Sequence, residues 1–219
     1  MRISISGDSL FTPQILYISL LQLLKRKGEQ MKQITIILLI MFGSLWAEEK
    51  TATFGGGCFW CIEAAFQPVK GVLSAESGYM GGEASTANYT AVSQGNSGHY
   101  EVVQVRYNTN IISYKELLDI FWRNIDPTDP LGQFADKGKQ YESIIFYQDD
   151  LEKRIALASK KTLDDSRKFD KSIVTKIEQA KEFYPAEEYH QDYFKKNSLH
   201  YQLYKRGSGR TGYIEKTWK

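Results

Sequence analysis

The sequence holds two cysteines in 219 residues, Cys58 and Cys61. Two thiols cannot make a multi-disulfide framework, and they fall short of the four thiolates of a zinc ribbon. Charge of one sign is lacking too. The 28 Lys and Arg against 26 Asp and Glu leave a net +2, with no basic stripe, so there is no electrostatic footprint for nucleic acid. The apolar run over residues 34–46 falls short of the roughly 20 residues that cross a bilayer comfortably. No internal repeat is visible. What is present is globular: 42% hydrophobic, 13% aromatic and 25% charged residues, in a length that suits one domain plus an extra segment.

The extra segment is N-terminal. Met31-Lys32 precedes the apolar run, and Ala47-Glu48-Glu49 follows it. A basic start, an apolar stretch of roughly 7 to 15 residues and a small residue read as a secretory signal. Leu45 stands where a small residue is usual for cleavage after Ala47, so a retained anchor is the alternative to a cleaved leader. Residues 1–30 carry their own apolar patch and then Lys25-Arg26-Lys27. A start at Met31 would make them an over-called beginning. The expected organisation is a leader over residues 1–47, with the signal peptide at 31–47, and one catalytic domain over 48–219. The expected location is outside the cytoplasm, in the periplasm.

From about Thr51 the pattern is compact. Residues 51–54 read as a short strand, Gly55 to Gly57 as a tight turn, and residues 58–66 as a helix ending before Pro68. Residues 78–87 are rich in Gly and Ser and read as loop. Residues 100–107 alternate as a strand does. Ser113-Tyr114-Lys115-Glu116 is a capping-box sequence, opening a helix that turns Leu117, Leu118, Phe121 and Ile125 inward. Residues 126–139 carry two prolines and two glycines and read as a functional loop. A strand at 143–147, a helix at 150–163 and a strand at 173–178 follow. Pro185 fits the first position of a helix over 186–196. After Tyr204 the glycines at 207, 209 and 212 read as loop. Helices and strands in this order point to an α+β fold.

Cys58 opens a helix if the glycine turn is read correctly, facing unpaired backbone N–H groups and the positive end of the helix dipole. Both favour the thiolate. Cys61, three residues on, shares its helical face and lies near enough for a disulfide after local adjustment. The pair could be a structural staple, a metal clip or a redox pair. A staple would close a tiny loop and stabilise little. A metal would need two more ligands, with only His99, His190 and His200 on offer. Redox work is the reading preferred, with metal and inert thiols left open.

Phe59 and Trp60, between the cysteines, are core aromatics on the simplest reading. An apolar pair beside a nucleophile also suits a small apolar group of a substrate, such as the methyl of a methyl sulfoxide. Glu101 shares a strand face with Val103, Val105 and Tyr107. There it is either an acid with a raised pKa, fit for proton transfer near neutrality, or a carboxylate at the strand's start that reaches solvent. On spacing alone Tyr89 and Tyr141, two of fourteen tyrosines, read as packing. Asp136 reads as a solvated loop acid, and His190, on its expected helix, as structural.

Gly56-Gly57-Cys58-Phe59-Trp60-Cys61-Ile62-Glu63 resembles the signature of A-type peptide methionine sulfoxide reductases. The resemblance continues through Gly95-Asn96-Ser97-Gly98-His99-Tyr100-Glu101 and Asp136-Lys137-Gly138-Lys139-Gln140-Tyr141. It ends with Pro185-Ala186-Glu187-Glu188-Tyr189-His190-Gln191. Four motifs run in family order from about Thr51 to about Tyr204. Two positions depart from the pattern: Glu142 replaces a usual Arg, and Tyr100 a usual small residue.

The resemblance implies a two-layer α/β sandwich with a ferredoxin-like core, here with a long looped C-terminal region. It also implies a reaction. Cys58 attacks the sulfur of a methionine S-sulfoxide, free or within an oxidised protein, while Glu101 protonates the oxygen and Tyr89 and Tyr141 donate hydrogen bonds. Phe59 and Trp60 hold the S-methyl group, and Asp136 binds the backbone amide. Methionine leaves and Cys58 becomes a sulfenic acid. Many relatives keep a resolving thiol in a C-terminal tail, but this tail has no cysteine, which leaves Cys61 to form the disulfide. A thioredoxin-like reductant then restores the thiols. No metal or organic cofactor is expected, and the protein is expected to be a monomer. The rivals are a general thiol–disulfide oxidoreductase using the same Cys-x-x-Cys, and a secreted binding domain with inert thiols.

Overall fold

The computed structural model describes residues 48–218. The leader and the over-called start expected within residues 1–47 lie outside the described residues.

The chain opens with strand β1 (Glu49–Gly55), helix α1 (Phe59–Phe66) and strand β2 (Val72–Met80). Helix α2 (Tyr89–Ser93), strand β3 (Tyr100–Asn108) and helix α3 (Tyr114–Trp122) follow. Two short strands, β4 (Gly132–Gln133) and β5 (Asp136–Lys137), pair as a hairpin. Then come β6 (Ile144–Tyr147), helix α4 (Asp150–Asp165), β7 (Lys176–Gln179) and β8 (Phe183–Pro185). Helices α5 (Tyr193–Lys196), α6 (Ser198–Gly207) and α7 (Arg210–Trp218) complete the described chain.

The fold is α+β, built on one six-stranded sheet in the order β7-β6-β1-β3-β2-β8. Strand β1 lies inside it, antiparallel to both β3 and β6. Strand β2 continues the antiparallel run, whereas β7 adds to β6 in parallel. Antiparallel neighbours place Phe54 beside Val103 and Tyr79 beside Glu101. Phe54 is fully buried and stacks on Phe66 of α1 at 5.0 Å and on Phe121 of α3 at 5.2 Å. One ring therefore joins the sheet to the helix that carries both cysteines.

The helix from Ser113 forms as expected. Ser113 Oγ accepts from Glu116 N–H, the Glu116 carboxylate accepts from Ser113 N–H, and Leu117, Leu118, Phe121 and Ile125 are all buried. Three expectations fail, each for a physical reason. Residues 78–80 end strand β2 instead of opening a loop. A Cβ on Gly78 would come within 2.4 Å of the Phe183 ring, so this glycine admits the edge strand β8. Pro185 ends β8 and does not start a helix. A sheet edge tolerates a residue without an N–H, and residues 188–192 are turns. The long looped C-terminal region is helical: α6 and α7 bury Tyr201 and Arg210. Gly209, at φ +88°, makes the link between them.

Phe54→Ala removes the ring shared by both helices. It is expected to lower the unfolding free energy by about 3–5 kcal/mol, read as a lower denaturant midpoint at unchanged m-value.

Candidate active site

Strand β1 runs into Gly55-Gly56-Gly57, and Gly57 adopts φ +80°, which turns the chain into α1 with Cys58 at the N-cap. The Cys58 side chain makes no capping bond to the helix, so its sulfur is not held by the backbone it caps. Both cysteines are reduced and buried. The amide that follows Cys58 points across to strand β3, where Phe59 N–H donates to Glu101 Oε2 at 3.1 Å.

Glu101 is 2% exposed. Burial pushes its carboxyl up to about 8, against the Phe59 hydrogen bond that pulls it down, with the charges of Asp136 and Cys61 adding to the rise. It does not reach solvent, and at neutral pH the acid mostly keeps its proton. Burial likewise raises the phenols of Tyr89 and Tyr141, and each also feels Glu101, Cys58 and Asp136. All five side chains therefore meet in one electrostatic neighbourhood, although they come from the glycine turn, β3, α2, β5 and the short 3-10 turn Lys139–Tyr141.

The two thiols behave oppositely. Burial pushes Cys58 well above the ordinary thiol value, and the hydrogen bond with Cys61 adds to this. Cys61 is brought down to about 7, chiefly by that same hydrogen bond, against burial, with Arg210 and Lys205 helping. A helix start by itself would lower Cys58 instead. Desolvation outweighs the dipole there, because Cys58 is 7% exposed and lies beside acidic groups.

Phe59 is buried, while Trp60 keeps part of its indole accessible. Trp60 Nε1–H donates to His190 Nδ1 at 3.1 Å, and its ring stacks on Tyr193 at 3.8 Å. Tyr204 approaches it edge-on at 5.8 Å. Asp136 Oδ2 accepts from the Tyr204 hydroxyl at 2.5 Å. Tyr193, His190 and Tyr204 thus belong to the site. Tyr193 and Tyr204 reach Trp60 only because α5 and α6 fold back over α1, and no spacing in the sequence signals it.

The histidines weighed as metal ligands are occupied in separate places. His99 Nδ1 accepts from Gly82 N–H and its Nε2 donates to the Glu83 carbonyl. His190 is tied to Trp60, and His200 to Tyr193. His190 Nε2, left as the protonated nitrogen, has no partner and is buried against Tyr89 and Tyr189.

A buried acid held against the residue after a cysteine, with a second cysteine in reach, defines a thiol-dependent reductase. The family model for peptide methionine sulfoxide reductase matches residues 50–219. The chain is 46% identical over 171 residues to peptide methionine sulfoxide reductase MsrA of Bacillus pumilus (strain SAFR-032), spanning 78% of this chain and 96% of that protein. It is 45% identical over 167 residues to MsrA 2 of Staphylococcus aureus (strain MRSA252), 76% of this chain and 94% of that one. Among solved structures, reduced Mxr1 from Saccharomyces cerevisiae matches with 36% identity and a TM-score of 0.65, over 69% of this chain and 87% of that chain. Methionine sulfoxide reductase A of Corynebacterium diphtheriae matches with 28% identity and a TM-score of 0.61, over 71% and 78%. The chain belongs to the peptide methionine sulfoxide reductase family. It is an MsrA-type enzyme that reduces the S epimer of methionine sulfoxide to methionine.

The Glu101 carboxyl, at about 8 in the fold against 4.5 when exposed, binds a proton that the unfolded chain has released between those values. Its contribution to stability is therefore present at low pH and lost as pH rises towards 8. Measured against Glu101→Gln, the unfolding free energy of the unsubstituted protein is expected to fall steadily across that window. Denaturant titrations of both proteins from acid to mildly alkaline pH check it.

Proposed function

We propose that Cys58 is the nucleophile, Glu101 the general acid and Cys61 the resolving thiol. The observation that carries this reading is the buried Glu101 carboxyl bonded to Phe59 N–H, one residue past Cys58. A sulfoxide oxygen is a poor leaving group until protonated, and an acid that keeps its proton at neutral pH supplies that proton. Cys58 sulfur attacks the sulfoxide sulfur, Glu101 protonates the oxygen, and the proton that Cys58 gives up balances the one supplied. The protonated oxygen then passes from the methionine sulfur to the Cys58 sulfur as the new S–S bond breaks, so methionine departs and Cys58 is left as a sulfenic acid. Tyr89 and Tyr141, phenols that keep their protons, donate hydrogen bonds to the same oxygen.

Phe59 and the accessible part of Trp60 hold the S-methyl group. Asp136, with Tyr204 on one carboxylate oxygen, takes the backbone N–H of the oxidised residue on the other. Cys61 then attacks the Cys58 sulfenic sulfur, forming a disulfide and releasing water. A thioredoxin-like dithiol reduces that bond by exchange. A general thiol–disulfide oxidoreductase has no departing oxygen for an acid to protonate and two phenols to hold, so that alternative is not favoured.

The antiparallel order β6-β1-β3-β2, with α1 and α3 as the crossing helices, supports reading the core as ferredoxin-like. The leader pattern at residues 31–47 supports export to the periplasm, where the electron donor would be a periplasmic or membrane-linked thioredoxin-like protein. A monomer suffices for this chemistry, since one chain supplies every group named.

Turnover on separated epimers tests the assignment. The S sulfoxide is expected to be reduced and the R epimer left, with Cys58→Ser inactive and Glu101→Gln slower by about 10²–10⁴-fold. Cys61→Ser is expected to release one methionine per chain and stop when a thioredoxin-type protein is the donor. Sustained turnover by Cys61→Ser would remove it from the cycle.

A further inference from the structure

Of the two phenols at the site, Tyr141 has the less to hold it. Among the described residues nothing hydrogen-bonds to its hydroxyl and no ring stacks on it. The ring of Tyr89, in contrast, packs on His190 with centroids 4.5 Å apart. Where Tyr141 points is therefore set by the 3-10 turn Lys139–Tyr141, closed by the Tyr141 N–H donating to the Gly138 carbonyl at 3.0 Å. Hydrogen bonds in so short a turn are poor, so its direction depends on outside anchors. The residues on either side of Tyr141 supply them.

Gln140, on one side, is 4% exposed. Its Nε2 donates at 3.2 Å to the carbonyl of Ser93, the last residue of α2, the helix that Tyr89 begins. Two glycines keep the slot for its amide open. A Cβ on Gly138 would come within 2.5 Å of Gln140 Oε1, and one on Gly95 within 3.1 Å. Oε1 itself has no partner. A buried amide left half satisfied costs free energy, and an apolar side chain of the same length would avoid that cost.

Glu142, on the other side, accepts from Lys176 Nζ at 2.5 Å, and the same Nζ donates to the Tyr100 hydroxyl at 3.0 Å. Tyr100 precedes Glu101 on β3, and Glu142 follows Tyr141. One ammonium thus joins the neighbour of the acid to the neighbour of the phenol. Lys176 is itself fixed, because β7 pairs with β6 and the Lys176 N–H donates to the Ser143 carbonyl at 3.0 Å. A partly exposed ion pair adds little stability, so what this one supplies is direction.

We propose that Gln140 and Lys176 are positioning residues that clamp the turn from two sides and so aim the Tyr141 hydroxyl at the sulfoxide oxygen. Neither touches the substrate. Gln140 spaces the turn from the helix that carries the other phenol, and Lys176 spaces it from the strand that carries the acid. A donor stabilises developing charge best when it is already in place, and a displacement of about 1 Å can cost roughly 100-fold in rate. The inference rests on the donor role given to Tyr141 above.

The test uses the full chain and follows methionine release in a single turnover of the S sulfoxide, before any reductant is needed. Both phenols donate to one oxygen, so Tyr89 covers for a misplaced Tyr141, and the variants are therefore built on Tyr89→Phe. There Gln140→Met and Lys176→Met are each expected to slow the maximal rate by roughly 10-fold or more, with the half-saturating sulfoxide concentration little changed. Lys176→Arg, which keeps the charge and the donors, is expected to recover part of the loss. On Tyr89→Phe/Tyr141→Phe, where Glu101 still supplies the proton, the same substitutions are expected to change the rate by no more than about twofold. No hydroxyl is left to aim. A purely structural part in the fold would slow both backgrounds alike. That result, or an undiminished rate for both variants on Tyr89→Phe, overturns the proposal. Should Gln140→Met not fold, Lys176→Met carries the comparison with the same two outcomes. The two readings fail separately. If removing the Tyr141 hydroxyl from Tyr89→Phe leaves the rate unchanged, the donor role falls and the clamp with it, whereas equal losses in both backgrounds contradict the clamp alone.

Discussion

One hydrogen bond sets the geometry on which the rest depends: the amide of Phe59, at the start of α1, to the buried carboxyl of Glu101 on β3. It ties the helix that holds both thiols to the strand that holds the acid, and it keeps a carboxyl where water would not. Neighbouring acids continue the tie. Tyr79, beside Glu101 in the sheet, donates to Glu187, which also accepts from Tyr89 N–H. Glu63 of α1 accepts from Ser77 on β2 and from the Asp192 amide. Carboxylates thereby pin the turns at residues 187–192 to both α1 and the sheet, and those turns bring His190 and Tyr193 onto Trp60.

The paired thiols gain different characters from this setting. Cys58 lies on the acid side, where desolvation and negative neighbours keep its proton on. Cys61 takes the hydrogen bond from Cys58, which brings it down against its burial, with Arg210 and Lys205 helping. Three residues of sequence separate them, and the sheet face and the helical cap divide them chemically. That division suits the proposed order of the reaction, in which one sulfur meets a protonated sulfoxide and the other a sulfenic acid.

Much of the site is legible in the amino-acid sequence. Gly-Cys-Phe-Trp-Cys, the strand face of Glu101, and the capping box at Ser113 are local patterns whose physics is short-range. Apolar alternation around Glu101 leaves a buried acid and a solvent-reaching carboxylate equally open, and the fold buries it. What stays hidden is long-range. Gly78 looks like loop punctuation and is a packing glycine. Gly207, Gly209 and Gly212 look like a frayed tail, yet the helices around them bury Arg210 and Tyr201. The two departures from the family pattern, Tyr100 and Glu142, prove to be joined. Lys176 Nζ donates to the Tyr100 hydroxyl at 3.0 Å and to the Glu142 carboxylate at 2.5 Å. No spacing in the chain links Tyr100 on β3 to Glu142 through a lysine on β7.

The central claim is that Glu101 carries a proton at neutral pH because burial outweighs the Phe59 hydrogen bond, which favours the charged form. Infrared difference spectroscopy of the unsubstituted protein against Glu101→Gln reads that proton directly, through the stretch of the neutral carboxyl group. The expected result is a protonated-carboxyl band that titrates away with a midpoint at about 8. A band that disappears in the ordinary range of an exposed glutamate, near 4.5, would contradict it.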